Sequence, residues 1–241
     1  MAEEQQVTAV LNPISVILNE VKDLPMTTVT ELIVLHTTKF GENSLVIHTL
    51  SRDYGRRSFL VRGAGKKSMS FFLPMNVLEA DVVASSKSTL YAARNFSPKY
   101  PLTGIRNNVF KNSMTMFLSE VLYRAVKEGA VEQGLYEWCE KSIVLLDAME
   151  SDFSNFHIHF LLELAVALGF SPETSDLQPF VGEHYHIVEG FMQKPFAESM
   201  LIPLTGALRN EIAEGILRYI EFHTESSLNI HSLKVLRELF A

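Results

Sequence analysis

Residues 40–67 read FGENSLVIHTLSRDYGRRSFLVRGAGKK, and the reading of this stretch decides the fold. Leu45 to Leu50 alternates in the manner of a strand. Leu45, Ile47 and Thr49 fall on one face and Val46, His48 and Leu50 on the other, with few polar positions. Ser51, Arg52, Asp53, Tyr54 and Gly55 make the turn: Asp53 suits an early turn position and Gly55 supplies the positive φ that closes a loop of this length. Ser58 to Arg62 is the return strand, and Gly63, Ala64, Gly65, Lys66 and Lys67 lead out of the sheet as a doubly charged loop. Arg52, Arg56, Arg57, Arg62 and Lys66, with Lys67 beside them, gather positive charge on one hairpin, which points to a polyanion.

Around this hairpin the same signals recur. Thr30–His36, Leu45–Leu50, Ser58–Val61, Val77–Ala84 and Thr89–Asn95 are rich in β-branched and aromatic residues, with Ser85 to Ser88 as a loop between the last two. Five short strands in about 70 residues, without a long helix between them, predict a small Greek-key barrel. An OB-fold has that size and binds oligonucleotides over strands 2 and 3; an SH3-like barrel is the competing architecture. Pro98 and Pro101 mark a change of period. Apolar stripes at three- and four-residue steps run through Phe110–Ala125, Leu135–Met149, Phe153–Leu168, Leu208–Ile220 and Leu233–Phe240, with Gly169 as a C-terminal cap. They predict a helical bundle. The YHIVEGFMQ segment, Tyr185 to Gln193, reads as a hairpin turning at Glu189-Gly190. The fold class is therefore α+β. Residues 26–97 form the barrel and 98–241 the helical domain, with 173–193 as an insertion. Residues 1–25, broken by Asn12-Pro13 and ended by Pro25, form an extension outside the fold, and Met26 is the native start. Deleting that extension is expected to leave the melting temperature unchanged.

Charge supports the division. The whole chain carries −7. Residues 26–106 hold 11 Lys and Arg against 5 Asp and Glu, a net of +6; residues 107–241 hold 9 against 19, a net of −10; the first 25 carry −3. The single cysteine, Cys139, excludes an internal disulfide frame and a multi-cysteine metal site, and its helical stripe makes it a small buried hydrophobe. No apolar run approaches the roughly 18 residues of a membrane span, and the MAEEQQ start lacks a basic signal head. There is no Gly-x-Ser-x-Gly elbow. Gly63-Ala64-Gly65-Lys66-Lys67-Ser68 is too short to wrap phosphates as a P-loop does. His157 and His159 are two apart on a helix and face different ways; His157 reads as a hydrogen-bonded interfacial histidine. His184 and His186 have strand spacing but only Glu183 and Glu189 as helpers. Phe71-Phe72 reads as core at a strand start, or else as a stacking pair.

The order of several short motifs resembles the RecO family of DNA repair and recombination mediators. They are Ile33-Val34-Leu35-His36-Thr37, Phe40-Gly41-Glu42-Asn43-Ser44-Leu45-Val46, Leu50-Ser51-Arg52-Asp53-Tyr54-Gly55-Arg56 and Val61-Arg62-Gly63-Ala64. Phe72-Leu73-Pro74-Met75, Val77-Leu78-Glu79, Phe117-Leu118-Ser119-Glu120-Val121-Leu122-Tyr123, Asn155-Phe156-His157, Leu168-Gly169-Phe170-Ser171-Pro172 and Ser232 to Phe240 continue it. The resemblance covers residues 26–241. It implies an OB-fold and a helical domain, binding and annealing of single- and double-stranded DNA, and no catalysis. It implies partnership with RecR and with the acidic, apolar C-terminal tail of single-stranded DNA-binding protein. Through these it implies help in loading RecA, in the cytoplasm at the nucleoid. Many members carry a four-cysteine zinc site after the Leu-Gly-x-x-Pro segment; Glu173 to Gln193 has no cysteine, so no zinc and no other cofactor is expected. The expected DNA contacts are Lys39, Arg52, Arg56, Arg57, Arg62, Lys66 and Lys67, meeting the backbone without reading sequence. Two other functions would suit a basic barrel: a peptide-binding scaffold, and an RNA-binding protein.

Overall fold

The structure, a computed structural model, describes residues 27–63, 65–83 and 90–240, with the side chains of Lys66 and Lys67 outside that description. The 1–25 extension, Met26 as native start, Ala64 and the Ser85–Ser88 loop lie outside the described residues. Strands β1 (Thr27–Lys39), β2 (Ser44–Ser51), β3 (Gly55–Arg62), β4 (Val77–Val83) and β5 (Tyr91–Pro98) close into a barrel in the order β1-β2-β3-β5-β4. All pairs are antiparallel except the short β3–β5 contact. This is the five-stranded Greek-key barrel of an OB-fold. A 3₁₀ helix, Lys66–Phe72, fills the β3–β4 connection where the sequence predicts a loop. Phe72 plugs the barrel edge-on to Phe96 at 5.0 Å, so the core reading of Phe71-Phe72 holds.

The few polar positions between Leu45 and Leu50, and between Leu32 and Leu35, have a cause. Leu45, Ile47, Phe59, Val61, Leu32 and Val34 point into the barrel. Ile33, Leu35 and Leu50 point outward and join the core of the helical half instead. A strand buried on both sides has little use for a polar face. A bulge between Val34 and His36 places Leu35 and His36 together on the outer side.

The helical half runs α1 (Thr103–Arg106), α2 (Val109–Ala125), α3 (Leu135–Ala148), α4 (Phe156–Ala167), α5 (Thr174–Val181), α6 (Tyr185–Gln193), α7 (Phe196–Met200), α8 (Gly206–Thr224) and α9 (Ser232–Leu239). Asn108 caps α2 by accepting from the amides of Phe110 and Lys111. Thr205 caps α8, and Glu120 of α2 accepts from the Ser232 amide at the start of α9. Gly169, at φ +88, and Phe170 donate back to Val166 and Ala165 and stop α4 as its cap. Helix α2 buries Met114, Phe117, Leu118, Val121 and Leu122 against β1, α8 and α9.

The expected Tyr185–Gln193 hairpin is wrong: the segment is helix α6. Val188 and Phe191 are buried one helical step apart. Gly190 lies within the helix, where a Cβ would touch Ile202 at an ordinary 3.5 Å. Turn residues outweighed this short apolar period in the sequence reading. His184 and His186 consequently lose their strand spacing; His184 meets Glu211 at 3.0 Å. Among the described residues no three His, Cys, Asp or Glu side chains are placed to hold a metal, and the family's zinc does not fit this segment. Cys139 is fully buried, its thiol pushed well up by burial. His157 is buried beside Phe117 and Phe240, with no well-formed hydrogen bond at either ring nitrogen and the Ser154 backbone as its nearest polar influence. No helix among the described residues is long and apolar enough to cross a membrane.

Candidate nucleic-acid interface

Strand register lays the outer face of β1, β2 and β3 out in rows, because residues opposite one another share a face. The rows are Ile33–Leu50–Arg56, then His36–His48–Ser58, then Thr38–Val46–Leu60. A last row follows past the end of β1. The Phe40 amide donates to Ser44 at 2.9 Å, and Ser44 stands opposite Arg62. Helices cover the first row and the Ser58 side of the second, where His36 stays exposed, and leave the last two.

The covered rows form a seam. The Arg56 guanidinium lies over the Tyr123 ring at 4.6 Å and reaches Glu128 at 3.2 Å. The Arg56 backbone is clamped too, donating to Ala130 and accepting from Gly129. Gly55, at φ +61, passes so close below that a Cβ would stand 2.0 Å from the Ala130 carbonyl oxygen. His36 and His48 both meet Tyr123, at 5.2 and 5.1 Å. Ser58 donates to Glu128 at 2.6 Å, so its oxygen accepts from His48 Nδ1, 2.8 Å away, while His48 Nε2 accepts from Thr38. Burial first, then the neighbouring His36 and Arg56 charges, lower the pKa of His48 although Glu128 pulls it up. A neutral imidazole that gives its proton toward Ser58 cannot act as that hydroxyl's base.

A second part of the seam holds Arg52. It contacts Glu31 at 2.7 Å and Glu137 and Glu140 at 3.1 Å, with its guanidinium over Tyr136. Lys99 bridges Glu31 and Glu140 at 2.7 and 2.6 Å. Burial opposes the Glu31 charge, but the hydrogen bonds from Lys99 and Arg52 outweigh it and hold its pKa below the ordinary carboxylate value. Tyr136 is pushed up by burial and then by Glu140 and Glu31.

The seven expected contacts are thus not one continuous patch. Arg52 and Arg56 are engaged with carboxylates of the helical half. Arg57 is on the inner row, its guanidinium over Tyr91 at 4.3 Å. It lies five residues, roughly 17 Å along the strand, from Arg62. Lys39 and Arg62 leave the opposite end of the barrel, exposed, and among the described residues neither meets a carboxylate within 4 Å. Lys66 and Lys67 open the 3₁₀ helix just beyond. Sequence reasoning missed the partners, Glu128, Glu137 and Glu140, because they lie some 70 to 88 residues away. The alternation of β1, β2 and β3 was the available signal, since it already separates Arg56 from Arg57.

Comparison with known proteins agrees with this architecture. Residues 26–100 match the model described as recombination protein O N terminal, and residues 106–177 match recombination protein O C terminal. A DNA repair protein RecO from Flavobacterium johnsoniae is 28% identical over 216 residues, covering 87% of this chain and 78% of that protein. One from Phocaeicola vulgatus is 29% identical over 235 residues, covering 87% and 97%. One from Azobacteroides pseudotrichonymphae is 27% identical over 236 residues, covering 88% and 98%. With the barrel and residues 106–177 of the helical half matched in order, the chain belongs to the RecO family of DNA repair proteins.

Proposed function

We propose that this protein is a non-catalytic recombination mediator that captures single- and double-stranded DNA on the open end of its barrel. The observation that carries this is the contrast between cations: Arg52 and Arg56 are paired with carboxylates of the same chain, whereas Lys39 and Arg62 are exposed with no carboxylate at hand among the described residues. Lys66 and Lys67 follow in the chain and extend the charge; Arg57 marks the far end. Each phosphate neutralised releases counterions, so binding weakens steeply with salt. Backbone contacts carry no base information, so capture is independent of sequence. Two strands held near one cationic end repel each other less, which favours annealing. The helical half, with a net of −10 over residues 107–241, repels DNA and is left for protein partners: a RecR-like protein and the C-terminal tail of single-stranded DNA-binding protein. Through them a RecA-type recombinase is loaded onto coated strands in the cytoplasm, at the nucleoid.

Fluorescence anisotropy with labelled oligonucleotides at two salt concentrations tests the reading. Lys39→Glu with Arg62→Glu is expected to weaken binding to DNA of any sequence and to flatten the salt dependence. Titrations identical to those of the unaltered protein would overturn it.

A further inference from the structure

Phe40 is a large aromatic side chain left 57% exposed. Other rings of the barrel are engaged: Tyr54 with Phe59 and Tyr91, and Phe72 with Phe96. Phe40 meets no other ring and no cation among the described residues. An exposed ring at a loop tip is not rare by itself, but its row gives it company. Phe40, just past the end of β1, stands in line with Ser44 of β2 and Arg62 of β3, so ring and guanidinium flank a small residue about two strand spacings, roughly 10 Å, apart. The adjoining row, Thr38, Val46 and Leu60, is uncharged and incompletely buried. Lys39 precedes the ring in the chain. Glu42 shares the loop and is exposed, which disfavours a phosphate on that side and directs the backbone toward Arg62.

We propose that Phe40 is a base-stacking residue specific for single-stranded DNA, with Arg62 holding the phosphate next to the stacked base. This rests on the DNA-binding reading above and adds what that reading lacks, a means of telling strands from duplex. Charge alone attracts both forms. A stacking ring needs an open base face, which a single strand offers and a paired, stacked duplex withholds.

The test uses the full chain, with labelled oligothymidylate and a duplex of equal length, over a series of salt concentrations. Phe40→Ala is expected to weaken single-strand binding roughly 5- to 100-fold. Duplex affinity should stay within about twofold, and the slope of log K against log salt should not move, because no ion is lost. Phe40→Trp should keep single-strand affinity and add a fluorescence signal, relative to the unaltered protein, that is quenched by single strands and not by duplex. Unchanged single-strand affinity in Phe40→Ala, or an equal loss on both forms, overturns the stacking role while leaving electrostatic capture intact. Absence of DNA binding by the unaltered protein overturns both.

Discussion

Arg56 and Arg62 lie on the same face of the same strand, yet replacing them is expected to have opposite consequences. Arg56→Met keeps the buried stem and removes the charge. The Arg56 side chain is 8% exposed, sits over Tyr123 and reaches Glu128, whose own side chain is 56% exposed. Glu128 regains water when its partner goes, so the ion pair accounts for about 1 kcal/mol at most. The desolvated cation–π contact contributes about 1–2 kcal/mol. Against these stands the cost of burying a guanidinium whose Nε makes no hydrogen bond, which the methionine relieves. The net loss is about 1–2 kcal/mol, which lowers Tm by about 2–8 °C for a chain of this size. DNA affinity and its salt slope should not move. Arg62→Gln should do the reverse, with stability within about 0.5 kcal/mol and a single-strand salt slope shallower by about 0.7 for one lost phosphate contact. Thermal unfolding and anisotropy across a salt series measure both. If Arg56→Met flattens the salt slope and leaves Tm alone, Arg56 is a DNA contact and the seam has been misread.

Three further outcomes follow from the same contacts. Gly55→Ala must accommodate both a positive φ and a Cβ 2.0 Å from a backbone oxygen, and should destabilise by about 2–5 kcal/mol in chemical denaturation. Burial, then the Arg209 charge, lowers His157 from 6.5 to about 3, with the Ser154 backbone pulling the other way. The unfolded chain therefore binds a proton there that the folded chain refuses, and stability is lost as pH falls from 6.5 towards 3, by about 1.4 kcal/mol per unit. His157→Phe should flatten that limb most clearly between pH 6 and 5, leaving what His48 and His159 add in the same direction, before the lowered carboxylates Glu31, Glu120 and Glu128 begin to take up protons; denaturation series at several pH values check this. Glu140→Gln weakens a site that serves Arg52, Lys99 and Tyr100 together, and should cost about 1–3 kcal/mol with no change in duplex binding.

Those contacts also explain what could be read from the sequence. Strand β2 and helix α2 were legible because their periods are strong and are enforced by burial: Ile47 and Phe59 inside the barrel, Phe117 and Val121 inside the bundle. Gly55 was legible because a hairpin loop of that length needs a positive φ, although nothing local reveals that Ala130 presses on it. Helix α6 was not legible. Nine residues hold only two fully buried side chains, and their His-x-His and Glu-Gly pairs mimic a hairpin. The site was half legible. Sequence gives the sign of a charge but not its partner, and the partners of Arg52 and Arg56 come from segments far along the chain.

That last point changes what the charge asymmetry means. Residues 26–106 at +6 followed by residues 107–241 at −10 look like one surface for a polyanion and another that repels it. Part of the asymmetry is instead consumed within the molecule. Arg52 and Arg56 on the barrel, and Lys99 just past the end of β5, face Glu128, Glu137 and Glu140 on the helical half, so opposite charge helps dock the two parts. Rising salt then acts twice, screening the seam weakly because it is partly buried, and screening Lys39 and Arg62 fully because they are exposed. DNA binding should consequently fail at salt concentrations where thermal unfolding has barely shifted. If both declined together, the docking contacts and the DNA contacts would be one set of charges, and the division of the hairpin into a seam end and a free end would not stand.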